Sequence, residues 1–186
     1  MPSMLETECR PMRKTFLMIF TNITKNFCIN LSIIAFVYFL DRVSKIYIIH
    51  LDKNNFGPDI FTSQYLNISL IWNKGIAFGL FSFDKIHFYN FLSLIIAIVI
   101  LILVIMALKN NGFKRYSLLI ITGGALGNLY DRIFFNAVPD FIDFHIGNFH
   151  WFIFNVSDIF ISLGVISMIV LELADNKTKK NNDKKY

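Results

Sequence analysis

Three aspartates interrupt long apolar runs in this 186-residue chain: Asp41, Asp131 and Asp158. A carboxylate surrounded by hydrocarbon is costly, so each needs a compensating interaction or a function. Buried ion pairs are one explanation, because Asp41 precedes Arg42 and Asp131 precedes Arg132. The other is chemical. Two carboxyl groups held close together in a low dielectric cannot both ionise easily, so one keeps a proton. The basic member can then activate a water while the acidic member protonates a carbonyl oxygen or a leaving amine. That is aspartic-protease chemistry, and it needs no metal. For Asp131 and Asp158 the two explanations stand level on residue type alone. Asp41 and Lys45 lie four apart, where side chains meet on one helix face. They read first as a pair that fixes a helix end or meets a lipid head group.

Two amides share faces with these acids. Asn128 is three residues before Asp131, and Asn155 is three before Asp158. Each is placed to bond its carboxylate or a substrate backbone, or simply to cap or pack a helix. Gly123, Gly124 and Gly127 lie on the same stretch as Asp131, and small residues four apart let helices approach closely.

The elements that must position these groups are membrane helices. The chain is 55% hydrophobic and 17% charged, against about 25% charged in ordinary soluble domains. Ile86 to Leu108 is an uncharged run of 23 residues, and roughly 20 suffice to cross a bilayer. Phe27 to Ile49, Tyr116 to Phe135 and Asn155 to Ala174 are nearly as apolar. The expectation is an all-α membrane domain of four transmembrane helices over residues 27–174. Residues 1–26 would form a cytoplasmic N-terminal extension, with an apolar patch, Phe16 to Phe20, on the membrane surface. Residues 175–186 would be a basic, disordered cytoplasmic tail. The first span runs into Asp41-Arg42 without a small-residue cleavage site, so it reads as a retained span and not a signal peptide.

Lys and Arg set the orientation. They concentrate in the N-terminal segment, in Lys109 to Arg115 and in the tail from Lys177, while residues 50–85 and 136–154 hold only Lys53, Lys74 and Lys85. Both termini are therefore expected in the cytoplasm, with the two longer connections outside. Asp41 and Asp131 each lie sixteen residues from the inner edge of their spans, and Asp158 fourteen. At 1.5 Å per residue these distances are roughly 21–24 Å, so all three acids sit at one depth just inside the outer face. Tyr65 to Trp72, a turn at Asn73-Lys74-Gly75 and the run Ile76 to Phe81 predict a small strand-turn-strand element. Residues 136–154 read as an apolar outer loop against the membrane.

Other chemistries lack their residues. The net charge of +5 lies in tails and one short loop, which fits membrane topology better than a nucleic-acid partner. Cys9 and Cys28 make no metal pair or disulfide framework. HExxH and GxGD are absent, Ser44 and Lys45 are adjacent and diverge on a helix, and all four histidines fall in or beside the outer segments. A small transporter or channel subunit, with Asp131 and Asp158 as ion ligands, is the remaining rival.

Five blocks resemble the bacterial lipoprotein signal peptidases, the type II signal peptidases. They are Asp41-Arg-Val-Ser-Lys45, Asn73-Lys-Gly75-Ile-Ala77-Phe78-Gly79, Gly123-Gly124-Ala-Leu-Gly127-Asn128-Leu-Tyr-Asp131-Arg132, Val138-Pro-Asp140-Phe-Ile-Asp143-Phe144 and Phe154-Asn155-Val-Ser-Asp158. Ser157, Pro139 and Ile159 depart from the usual pattern. The resemblance covers residues 30–172 and implies a four-span inner-membrane aspartyl endopeptidase. Its substrates would be prolipoproteins whose lipobox Cys carries diacylglycerol, cut just before that Cys. It maps the catalytic pair onto Asp131 and Asp158. Asp41, Lys45, Asn73, Gly75, Ala77, Phe78, Gly124, Gly127, Asn128, Arg132, Asp140, Asp143 and Asn155 would bind substrate or support the site. Segment 136–154 would act as a lid. No cofactor or metal is implied, and one chain would suffice.

Overall fold

The computed structural model describes residues 4–54, 59–74, 85–147 and 149–183. Among the described residues four helices carry the molecule: α1 (Met4–Asn54), α2 (Lys85–Lys109), α3 (Gly112–Phe135) and α4 (Val156–Asp183). Between them are strands β1 (Phe61–Thr62), β2 (Leu66–Asn73), β3 (Val138–Ile146) and β4 (Phe149–Phe154). The strands form one antiparallel sheet in the order β1-β2-β3-β4.

Phe27–Asn54, Tyr89–Lys109 and Val156–Lys177 are long and apolar enough to cross a membrane. Their large side chains point outward: Phe36 and Phe39 on α1, Leu101 and Leu108 on α2, Ile166 and Val170 on α4 are all exposed. In water such surfaces would be untenable, whereas in lipid they are the expected exterior. Helix α3 is the exception, and it is the hub. It packs against α1, α2 and α4 and buries Ser117, Leu118, Leu119, Ile121, Thr122, Gly123, Gly124, Gly127, Asn128 and Asp131. A helix surrounded by other helices has little lipid to face, so it can carry more polar residues than its neighbours.

Glycine makes this packing possible. A Cβ at Gly123 would lie 2.8 Å from Val37 Cβ on α1, and one at Gly124 would lie 2.7 Å from the Ser157 carbonyl on α4. A Cβ at Gly127 would lie 2.5 Å from both Asp41 Oδ2 and Ser157 Oγ, where the three helices meet. Gly127→Ala gains backbone entropy worth about 0.5–1 kcal/mol, but overpacking costs about 1–3 kcal/mol when the neighbours cannot yield. Asp41 is pinned by two cations, so a lower melting temperature in detergent is expected. An unchanged melting temperature would remove this packing account.

Three expectations change. Residues 136–154 are not a loop: they form the β3–β4 hairpin, which turns at Gly147 with φ of 59°. The segment's alternation is interrupted by a bulge, which hides the period of two. Helix α4 runs to Asp183, well into the tail expected to be disordered. Lys114 helps to extend it, with Nζ 3.0 Å from Glu172 Oε2 and 2.6 Å from Asp175 Oδ2. The N-terminal segment belongs to α1, which is one helix from Met4. The strand foreseen over Tyr65 to Trp72 is β2, paired with β1 and β3. Its foreseen partner over 76–81 lies outside the described residues, as do Gly75, Ala77 and Phe78.

Candidate active site

The polar groups gather where the sheet meets α1, the C-terminal end of α3 and the N-terminal end of α4. At their base is a buried cluster of four charges. Asp41 and Asp131 are fully buried and Lys45 is 1% exposed. Lys45 Nζ lies 2.9 Å from Asp41 Oδ1 and donates to Asp131 Oδ2 at 2.7 Å. Arg42 takes Asp131 in a two-pronged grip, Nη1 to Oδ1 at 2.6 Å and Nη2 to Oδ2 at 2.7 Å, and Nη2 also reaches Asp41 Oδ2 at 2.7 Å. Two cations balance two carboxylates, as burial demands. The guanidinium lies 4.9 Å from the centre of the Tyr130 ring and 5.9 Å from that of Tyr38, which hold it further through their π faces. Asp41 Oδ1 also accepts the Ser157 N–H of α4 at 3.1 Å, so the cluster ties three helices together.

Above the cluster the partners are neutral amides. Lys45 Nζ donates to Asn128 Oδ1 at 2.9 Å, and Asn128 Nδ2 donates to Asp158 Oδ1 at 2.8 Å. The cation fixes which end of the amide faces Asp158. Asn155 caps α4. Its Oδ1 accepts the Asp158 N–H at 3.2 Å, while its own N–H donates to Asp158 Oδ2 at 3.1 Å. This reciprocal arrangement is a capping box. Asn155 Nδ2 then donates to Asp140 Oδ1 at 2.6 Å. Asp140 Oδ2 accepts from Asn73 Nδ2 at 2.9 Å. Asn73 stands opposite Val138 and reaches Asp140 diagonally across the β2–β3 ladder.

Asp140 and Asp158 thus share one residue: Asn155 gives its side-chain amide to the Asp140 carboxyl and its backbone N–H to that of Asp158. Asp140 is 4% exposed. Burial pushes its carboxyl above the usual carboxylate range, the amides of Asn73 and Asn155 pull it back, and the neighbouring Asp158 charge raises it again. Arg132 donates from Nη1 to the Asn128 carbonyl at 3.0 Å. Among the described residues the buried Nε of Arg132 has no partner.

The structure brings most of the expected residues together, but it distributes them differently. Asp131 faces Arg42 and Lys45, and among the described residues Lys45 and Asn128 link it to Asp158. Asp140, foreseen as support, is the acid that shares Asn155 with Asp158. Asp143 sits farther along β3 and bonds His150. Arg42 and Ser157 were not among the expected site residues. Arg42 belonged to the first block, but only its neighbour Asp41 suggested a partner. A bond to Asp131, 89 positions away, has no signature in sequence.

Known proteins similar to this chain point to one family. The family model for signal peptidase (SPase) II matches residues 33–174. A lipoprotein signal peptidase of Pelagibacter ubique (strain HTCC1062) is 51% identical over 160 residues, covering 86% of this chain and 96% of that one. One from Anaplasma phagocytophilum (strain HZ) is 42% identical, over 78% of this chain and 92% of that one. A solved bacterial membrane enzyme matches with a TM-score of 0.65 at 33% identity, covering 81% of this chain and 90% of that one. With five sequence blocks, a helical membrane fold and a converging aspartate site behind it, the chain belongs to the signal peptidase II family.

Proposed function

We propose that this chain is an intramembrane aspartic endopeptidase that removes the signal peptide from diacylglyceryl-modified prolipoproteins, cutting N-terminal to the lipidated Cys. Family membership supports the peptidase activity and the substrate class. The observation that carries the mechanism is the Asn155 bridge between Asp140 and Asp158. Both acids have neutral hydrogen-bonding partners, whereas both oxygens of Asp131 are committed to cations. A pair that must pass a proton back and forth cannot be locked in that way. The reactive pair in this reading is Asp140 with Asp158, and Asp131 belongs to the charge cluster that positions them. The alternative pair, Asp131 with Asp158, draws support from the link through Asn128.

Asp158 receives two N–H donors at the N-terminus of α4, an environment suited to the anionic form. It takes a proton from water as the oxygen adds to the scissile carbonyl carbon. Asp140, whose carboxyl burial biases toward the protonated form, gives a proton to the carbonyl oxygen. As the tetrahedral diol collapses, Asp158 protonates the leaving amine, the C–N bond breaks, and Asp140 recovers its proton from the hydroxyl. The unpartnered Nε of Arg132 is a donor free for the substrate backbone.

In this reading α3 is a fourth span shielded by the other three, the site lies near the outer face of the bacterial inner membrane, and both termini are cytoplasmic. The substrate's acyl chains stay in lipid while its scissile bond reaches the pair. One chain contains the whole site, so a monomer suffices. The test is a gel-shift assay in detergent with a diacylglyceryl-modified prolipoprotein beside its unlipidated form. Cleavage of the lipidated form alone is expected. No cleavage by well-folded protein would sink the reading and favour an ion-conducting role.

The pH profile adds a signed expectation. Asp140 must hold its proton, so kcat/KM falls on the alkaline side as that proton is lost. The Asn73 bond lowers the Asp140 pKa. Asn73→Ala should therefore move the alkaline limb to higher pH, with a reduced plateau. A limb that stays in place or moves to lower pH contradicts the assignment of Asp140 as the acid.

A further inference from the structure

We infer that Asp143, His145 and His150 form a binding site for one divalent transition-metal ion of the zinc type, on the outer hairpin and apart from the reacting aspartates. One ligand atom from each lies within 4.8 Å of the other two. The backbone explains the grouping. His145 stands directly opposite His150 in the β3–β4 ladder, and Asp143 is two positions earlier on β3. Between these rungs β4 carries an extra residue, and such a bulge re-aims side chains. The two imidazoles stack with centroids 5.1 Å apart.

A plain Asp143–His150 hydrogen bond explains only part of this cluster. His150 Nδ1 is 2.8 Å from Asp143 Oδ2. Asp143 is 4% exposed, yet among the described residues its buried Oδ1 has no partner, and neither has His145 Nδ1. Buried polar atoms left unpaired cost about 1–3 kcal/mol each in general, so two beside one another call for a shared partner. Imidazole nitrogens with a carboxylate oxygen suit zinc, which binds such atoms at about 2.0–2.2 Å and accepts three protein ligands plus a water. The present spacing needs only small side-chain rotations to reach that geometry. His150 is exposed, which gives the ion a way in and leaves a position for the water. The ion would fasten β3 to β4. Asp140 lies on the first of these strands, and the second leads directly into Asn155 and Asp158. Its role is to brace the hairpin, with no part in proton transfer.

The test uses the full-length protein in detergent, without a histidine tag and with Cys9 and Cys28 replaced by Ser so that thiols cannot compete. Zn²⁺ is titrated against a chromophoric chelator, and the melting temperature is measured with and without the ion. One equivalent per chain is expected, with a melting temperature that rises with Zn²⁺ concentration. His145→Gln and His150→Gln should each weaken binding at least about tenfold, as loss of a direct ligand would, while their metal-free melting temperatures match the parent. Asp158→Asn should bind Zn²⁺ like the parent, which separates this site from the catalytic reading. No stoichiometric binding, full binding by both His variants, or loss of binding in Asp158→Asn would overturn the proposal.

Discussion

Asp158→Asn and Asp140→Asn are each expected to lower kcat/KM for a lipidated prolipoprotein by about 10²–10⁴-fold, the range that a positioned acid or base contributes. Both substitutions keep side-chain size, and Asn retains one oxygen for the surrounding amides. Folding should therefore survive, and the loss should appear in chemistry. The double variant should be little worse than either single one, because two groups that pass one proton act as a unit. Asp131→Asn is the informative contrast. It removes one of two negative charges facing Arg42 and Lys45, so its first effect should be a lower melting temperature, with a smaller loss of rate in the folded fraction. The measurement is single-turnover cleavage with melting temperatures taken on the same preparations. If Asp131→Asn eliminated cleavage at an unchanged melting temperature while Asp140→Asn kept more than a tenth of the rate, the reactive pair would be Asp131 with Asp158.

Lys45→Met should have the largest effect on stability. The methionine fills similar volume but leaves Asp41 and Asp131 sharing Arg42 alone. Breaking a buried ion pair from one side costs about 3–5 kcal/mol, because a charge is stranded in low dielectric. The same change removes the donor that orients Asn128. The amide can then rotate, and Asp158 can lose the N–H at its Oδ1. Activity should fall with stability, and the two losses can be separated. Adding Asp131→Asn to Lys45→Met restores charge balance, so the melting temperature should recover in part. It does nothing for the Asn128 amide, so the rate should not recover. Recovery of both together would mean that Lys45 serves charge balance alone.

Much of the site was legible in the sequence for local reasons. Asn155 and Asp158 are three apart at a helix start, and that spacing by itself specifies the capping box. Asp41 and Lys45 are one helical turn apart and do meet. Gly123 and Gly127 announced close helix contacts, and the contacts are with α1 and α4. Counting residues along the apolar runs grouped Asp41, Asp131 and Asp158, and one chain of polar contacts joins them.

The sequence by itself therefore determined which residues lie on which helix and which local pairs form, because these follow from helical periodicity and hydrophobic length. Only the tertiary structure decided the partners. Sequence adjacency suggested that Arg132 serves Asp131, yet Arg42 from α1 takes that acid, and Arg132 donates to the Asn128 carbonyl instead. That exchange frees Asp158 from a cation grip and leaves it with amides. Asp140 joins it because β3 pairs with β2 and lays its carboxyl between Asn73 and Asn155, two residues 82 positions apart in the chain. Whether a buried carboxylate meets a cation or a neutral amide depends on contacts between distant segments, and that difference decides which acid is held in place and which can move a proton.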